Sequence, residues 1–170
     1  AAIKIAGLFV DEGPMVQVKT SGQRVKSYND RDKGSVWDGP LVVMVNEGTA
    51  SASEIVAAAL QDYGRALVLG TSQTFGKGTV QNILDFDRAA GPFNSSLRPL
   101  GALKLTIQKY YRISGGTTQL DGVQSDIILP HPYENFSFGE REMEFPLPVD
   151  KVLPVAYDST SNRNFENVIL

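Results

Sequence analysis

The stretch Leu41-Val42-Val43-Met44-Val45-Asn46-Glu47-Gly48-Thr49-Ala50-Ser51-Ala52-Ser53-Glu54-Ile55-Val56-Ala57-Ala58-Ala59-Leu60-Gln61-Asp62-Tyr63-Gly64-Arg65-Ala66-Leu67-Val68-Leu69-Gly70 decides the fold. Leu41 to Val45 is short and wholly apolar, the pattern of a strand buried on both faces. A polar link, Asn46 to Thr49, follows. Ala52, Ile55, Val56, Ala59 and Leu60 then fall at helical spacing, and Gly64 stands where a helix C-terminal glycine belongs. Ala66 to Leu69 predicts a second buried strand, ended by Gly70. Strand, helix and strand over about 30 residues make a βαβ unit, so a parallel pair with a right-handed crossover is expected.

Working outward, Met15 to Lys19 alternates apolar and polar and predicts a strand, and Ser21 to Trp37 is polar with scattered glycine, a hairpin or loop. Thr79 to Leu84 reads as a strand, Asp85 to Gly101 as a long loop with Pro92 and Pro99. Leu103, Leu105 and Ile107 alternate with Lys104, Thr106 and Gln108, a half-exposed strand running to about Arg112. Gly115-Gly116 marks a turn, and Val123 to Leu129 a further short strand. Five of the nine prolines lie from Pro130 onward, so the tail is expected to be irregular and to wrap the core. The opening Ala1-Ala2-Ile3-Lys4-Ile5 has no Met and no signal-peptide pattern, and reads as a chain cut from something larger.

Composition narrows the chemistry. At 170 residues the chain is about one domain long. Sixteen Lys and Arg against 19 Asp and Glu give a net charge of −3, without the basic footprint of a nucleic-acid binder. The longest apolar run, Ile55 to Leu60, is six residues, far below the ~18 needed to span a membrane. With no cysteine there is no disulfide scaffold, thiol nucleophile or zinc-thiolate site. The single histidine, His131, lies between Pro130 and Pro132 and reads as a surface loop residue, so a histidine metal cluster is impossible and acyl chemistry would need another base.

Two residues stand out. Ser51 sits at the strand-to-helix turn, and Ser51-x-x-Glu54 fits a helix capping box. The same place gives a hydroxyl the free N–H groups and dipole of a helix N-terminus, which suit a nucleophile whose attack creates an oxyanion. Lys77 lies in Thr74-Phe75-Gly76-Lys77-Gly78-Thr79-Val80-Gln81. Its glycine flanks permit close backbone approach, and Phe75 and Val80 are placed to desolvate the amine, which favours a neutral general base. A phosphate loop does not fit: five residues separate Gly70 from Gly76, Gly78 replaces the Mg²⁺-binding hydroxyl, and no helix follows. No cofactor is expected.

Taken together, Thr49-Ala50-Ser51-Ala52-Ser53-Glu54-Ile55, Asp62-Tyr63-Gly64-Arg65-Ala66 and Thr74 to Gln81 resemble the tail-specific, or C-terminal processing, serine peptidases. Leu105 to Arg112 and Gly122-Val123-Gln124-Ser125-Asp126-Ile127 match as well, so the resemblance covers roughly Gly7 to Pro130. It is strongest to the periplasmic tail-specific proteases of Gram-negative bacteria. It implies an α/β, crotonase-like core with a partly parallel sheet, outer helices and β extensions. It also implies a truncated catalytic core over 1–130 and an irregular Pro-rich extension over 131–170. It implies a Ser–Lys dyad: Ser51 the nucleophile, Lys77 the general base, Gln81 the residue that orients the lysine, and the Ala52 backbone N–H an oxyanion donor. Ser53 falls two residues late for the motif, and Asp62 is expected to have a structural role at the helix end, with Arg65.

Three departures qualify it. Ser51 and Lys77 are 26 positions apart, one more than usual, with the extra residue expected in Thr71-Ser72-Gln73. Ser125 replaces a proline, a change expected to cost only local rigidity. The glycine-rich strand end that gives the family a second oxyanion donor, and its peptide-binding PDZ module, would precede Ala1. The expectation is therefore an endopeptidase fragment, weak or inactive alone. The intact protein would cleave polypeptides recognised by apolar C-termini, in the periplasm or cell envelope, with membrane association through segments outside this chain. The alternative is a non-catalytic fragment or a peptide-binding module on the same fold.

Overall fold

The computed structural model describes residues 1–91, 98–132, 134 and 136–158. The expected βαβ unit is its centre: β3 (Val42–Val45), α2 (Ala52–Asp62) and β4 (Leu67–Gly70). β3 and β4 pair in parallel, Val42 opposite Leu67 and Val45 opposite Gly70. β7 (Ile127–Ile128) adds a third parallel strand beyond β4. β7 is shorter than the sequence pattern suggests.

Around this unit lies an antiparallel sheet in the order β2-β1-β6-β5. It comprises β1 (Gly13–Thr20), β2 (Lys26–Asp30), β5 (Thr79–Asp85) and β6 (Ala102–Tyr111). β1 and β2 form the hairpin expected between Ser21 and Trp37. α1 (Ala2–Gly7) packs on α2, and a one-turn α3 (Phe86–Ala89) occupies part of the segment expected to be loop. The Asp85 side chain nucleates α3 by accepting from the Arg88 N–H at 3.1 Å. Residues 92–97 of that expected loop lie outside the described residues.

α2 serves two apolar clusters at once. Ala59, Leu60 and Tyr63 join Ala6, Met15 and Ile113, whereas Ala57 and Ala58 join Val45, Val68 and Val123. Alanine on the second face lets the helix approach the parallel sheet closely. The helix ends where expected: Gly64 takes φ 61°, its N–H reaches Gln61 O at 2.9 Å and the Arg65 N–H reaches Leu60 O at 2.8 Å, a Schellman closure.

One expectation fails. β3 is not buried on both faces: Val45 is buried, but Val42 is 51% and Met44 76% exposed. α2 covers one face of β3 and no described element covers the other. The apolar run therefore marks a strand whose outer face is open. The tail does run back over the core. Val152 and Val155 N–H donate to Gly115 O and Ile113 O, and the Tyr157 ring meets Tyr63 edge-on at 5.1 Å. A 3₁₀ turn, Glu140–Glu142, is its regular element among the described residues.

Candidate active site

Parallel strands send their carboxyl ends to one edge of the sheet, the usual place for a site in such folds. Here β3 leads into residues 46–51 and β4 into residues 71–78, so Ser51 and Lys77 arrive from adjacent strands. Gly70 makes the crossing possible: a Cβ there would lie 1.8 Å from Val45 O.

The approach to Ser51 is a tight turn. Thr49 N–H donates to Asn46 O at 2.9 Å and Gly48 N–H to Asn46 Oδ1 at 3.0 Å. Ser51 itself has φ 58° and ψ −113°, one of two non-glycine residues at positive φ among the described residues. Such backbone costs about 1–3 kcal/mol and persists only where the surroundings impose it. The capping-box arrangement is present, but its tight half is the reverse one: the Glu54 carboxylate accepts from the Ser51 N–H at 2.6 Å, and the Ser51 hydroxyl closes no regular cap hydrogen bond. The next amide, Ala52 N–H, belongs to an exposed residue at the first helical position and meets no acceptor among the described residues. That is the condition for an oxyanion donor.

Glu54 is more than a cap. It is fully buried, and besides Ser51 it accepts from Thr74 Oγ1 at 2.6 Å, Gly76 N–H at 2.8 Å and Lys77 N–H at 3.0 Å. Burial pushes its carboxyl above the usual range; the hydrogen bonds from Thr74, Gly76, Ser51 and Lys77 pull it part of the way back. One side chain thus fixes the main chains of Ser51 and Lys77 to each other. The sequence showed Glu54 only as half of a capping box. The missed signal is helical: Glu54 shares a face with Ala57 and Ala58, three and four residues on, and that face is buried.

The glycines around Lys77 have specific causes. Gly76 takes φ 89° against the Leu120 backbone, and its carbonyl accepts from Leu120 N–H at 2.8 Å. A Cβ on Gly78 would lie 2.7 Å from atoms of both Gln119 and Thr117. Gln119, fully buried, takes the Gly78 N–H on Oε1 at 2.9 Å. Lys77 is half-buried, and its Nζ donates to Gln81 Oε1 at 3.1 Å. β5 begins only at Thr79 and carries a register shift between Val80 and Gln81, so the pair is not the simple same-face strand pair that the spacing suggests. Phe75 meets Phe138 edge-on, with ring centroids 5.5 Å apart. No hydrogen bond joins Ser51 Oγ to Lys77 Nζ among the described residues.

The carbonyl side has its own partner. Tyr110, on β6, is buried, and its single hydroxyl proton is shared between Ser51 O, at 3.1 Å, and Lys77 O. Thr118 Oγ1 also donates to Lys77 O, at 3.2 Å. Burial, with the nearby Glu54 charge, pushes the Tyr110 phenol well above its ordinary value, so it is a donor at any ordinary pH. The alternating strand pattern hid this residue, because the strand turns from exposed to buried only at its end.

The remaining candidates sort by contact. Ser53 is exposed on α2. Asp62 is structural, as expected, but its ion-pair partner is Arg112, 2.7 Å away, while Arg65 donates to Phe9 O and Trp37 O. Ser125 gives what a proline cannot: its N–H donates to Ser72 O at 3.2 Å and its hydroxyl to Thr71 O at 2.6 Å. His131 lies in irregular chain, as expected, and is half-buried, with Nδ1 3.9 Å from Glu47.

Known proteins similar to this chain in sequence and fold are proteases. The chain is 42% identical over 170 residues to the tail-specific protease of Haemophilus influenzae, covering 96% of this chain and 23% of the relative. It is 38% identical over 149 residues to the carboxy-terminal-processing protease of Bartonella bacilliformis, covering 84% of this chain and 32% of the relative. Among solved structures, the photosystem II D1 C-terminal processing protease superposes with a TM-score of 0.61 at 33% identity, over 75% of this chain and 30% of that one. The chain therefore spans about a quarter to a third of the length of these relatives. The sequence profile of peptidase family S41 matches residues 1–129, three quarters of the chain, and the chain belongs to that family.

Proposed function

We propose that this chain carries the catalytic Ser–Lys pair of a serine endopeptidase. The observation that carries the reading is the convergence on one carboxylate. Glu54 holds the strained Ser51 and the Lys77 loop together, next to an Ala52 N–H without an acceptor among the described residues and a Lys77 Nζ seated on Gln81. In this reading Lys77 takes the Ser51 proton as Oγ attacks a peptide carbonyl, Ala52 N–H receives the developing oxyanion, and the lysine returns the proton to the leaving amine. Gln81 aims the amine. The acyl-enzyme on Ser51 is then hydrolysed by water activated by the same lysine.

The substrates we propose are polypeptides recognised by apolar C-termini, in the periplasm or cell envelope. Similarity to tail-specific and C-terminal processing proteases supports this. Among the described residues no helix is long and apolar enough to cross a membrane. Among the described residues β5 is the last strand of its sheet, an edge on which an extended peptide can pair through its main chain.

A fluorophosphonate probe on the full protein that carries this chain tests the assignment. Labelling is expected to disappear in Ser51→Ala, and Lys77→Ala should abolish peptide turnover with an unchanged melting temperature. Labelling that survived Ser51→Ala would overturn it. The 170-residue chain alone is proposed to be weak or inactive. Ala52 N–H is the one oxyanion donor that the resemblance places within it, and a missing donor costs ~10²–10³ in kcat.

A further inference from the structure

We propose that Tyr110 is a positioning residue for catalysis, its hydroxyl setting both the tilt of the Ala52 N–H and the spacing of the two catalytic main chains. This rests on the reading of Ser51 as nucleophile and Ala52 N–H as oxyanion donor. The Ser51 carbonyl and the Ala52 N–H are the two ends of one peptide unit. That unit is trans and planar, so its C=O and N–H point in opposite directions and turn together. A donor fixed on the oxygen therefore fixes the direction of the N–H. Ser51 O accepts from Ile55 N–H at 3.1 Å along the helix and, across it, shares with Lys77 O the single proton of Tyr110 OH, 3.1 Å away. The first fixes the peptide relative to α2; the second fixes it relative to the rest of the site.

The same hydroxyl lies on Lys77 O, and Glu54 accepts from the N–H of both Ser51 and Lys77. The two main chains are thus tied twice, by a carboxylate on their amides and a phenol on their carbonyls. Tyr110 is itself well anchored. Its N–H donates to Gly78 O at 2.9 Å, its carbonyl accepts from Thr117 Oγ1 at 3.1 Å, and Val18 of β1 is its strand partner. A buried phenol needs only one acceptor to be satisfied. Here the two it meets belong to the two residues whose separation governs proton transfer.

The test compares two ligands on the full protein that carries this chain. A peptide aldehyde is captured as Ser51 Oγ bonds to its carbon, the carbonyl π pair moves onto oxygen and the serine proton passes to the Lys77 amine. Its affinity reads the oxyanion donor. A cleaved product peptide with a free C-terminus binds without an oxyanion and reads the groove alone. In Tyr110→Phe the aldehyde should bind about tenfold more weakly, a fraction of the ~10²–10³ lost with a whole donor. The product peptide should bind within about twofold of wild type, and kcat should fall with KM nearly unchanged. Equal losses for both ligands, or no loss for the aldehyde, would overturn the proposal. Ser51→Ala separates the two readings: if it leaves aldehyde affinity intact, the assignment of the nucleophile fails instead. Should Tyr110→Phe fail to fold, 3-fluorotyrosine at position 110 keeps ring and hydroxyl while making the phenol a stronger donor. Aldehyde affinity should then shift by about threefold with the product peptide unaffected, and an unshifted aldehyde affinity overturns the proposal.

Discussion

At the scale of single residues, Glu54 draws four hydrogen bonds onto one buried carboxylate. Glu54→Gln preserves its shape but presents an amide NH₂ to two of the four donors that now meet a carboxylate oxygen. With the NH₂ on the Thr74 side, the Thr74 hydroxyl can turn to accept from it, so one buried donor, the Gly76 N–H, loses its acceptor, which should cost about 1–3 kcal/mol, measurable as a lower urea midpoint. The pH dependence follows from the sign of the shift. Burial raises the Glu54 carboxyl above its model value of 4.5, so just above pH 4.5 the folded chain holds a proton that the unfolded chain has released. The Glu54 contribution to stability is therefore greatest at the acid side and is lost as pH rises through the native value. Urea melts across that window should show the decline in the wild type and not in Glu54→Gln. Ser51, Lys77 and Gln81 stood out in the sequence because the blocks that hold them resemble the motifs of a peptidase family. Glu54 and Tyr110 were not: a capping glutamate and a strand tyrosine look alike wherever they occur, and only burial against the same two main chains distinguishes them.

At the scale of elements, the βαβ unit could be read because apolar runs and a helical period are local properties. Its strand pairing followed, since short connections leave few topologies open. Exposure of the β3 outer face could not be read, because an apolar run does not report what lies across from it. The partner of Asp62 was hidden for the same reason. Arg112 is 50 residues away at the end of β6, with Nη2 at 2.7 Å and Nε at 3.1 Å from Asp62 Oδ1. This pair joins the C-terminal end of α2 to the antiparallel sheet, and it is largely shielded, with side-chain exposures of 19% for Arg112 and 7% for Asp62. Arg112→Met should cost about 3 kcal/mol, because it strands a shielded carboxylate. The double variant Asp62→Asn, Arg112→Met should recover part of that loss, as seen by thermal melts of the three proteins.

At the scale of the whole molecule, one parallel and one antiparallel sheet meet across α2, and the tail returns to close the far side through Asp150 and Tyr157. Asp150 takes Lys109 Nζ at 3.2 Å and the Tyr111 hydroxyl at 3.1 Å. The tail's course was legible only as a lack of periodicity, since its contacts are single side chains on distant strands rather than a repeating pattern. The open side of β3 has a consequence for the molecule as a colloid. Among the described residues β3 is the last strand of its sheet, pairs with β4 alone and leaves one main-chain edge unpaired, with Val42 and Met44 exposed beside it. A flat apolar strand at a sheet edge invites a second such strand, and a net charge of −3 offers little repulsion to prevent it. Solutions of the 170-residue chain should therefore scatter light more than in proportion to concentration, and Met44→Lys, which places a charge on that edge without touching the Ser51–Lys77 site, should restore proportionality.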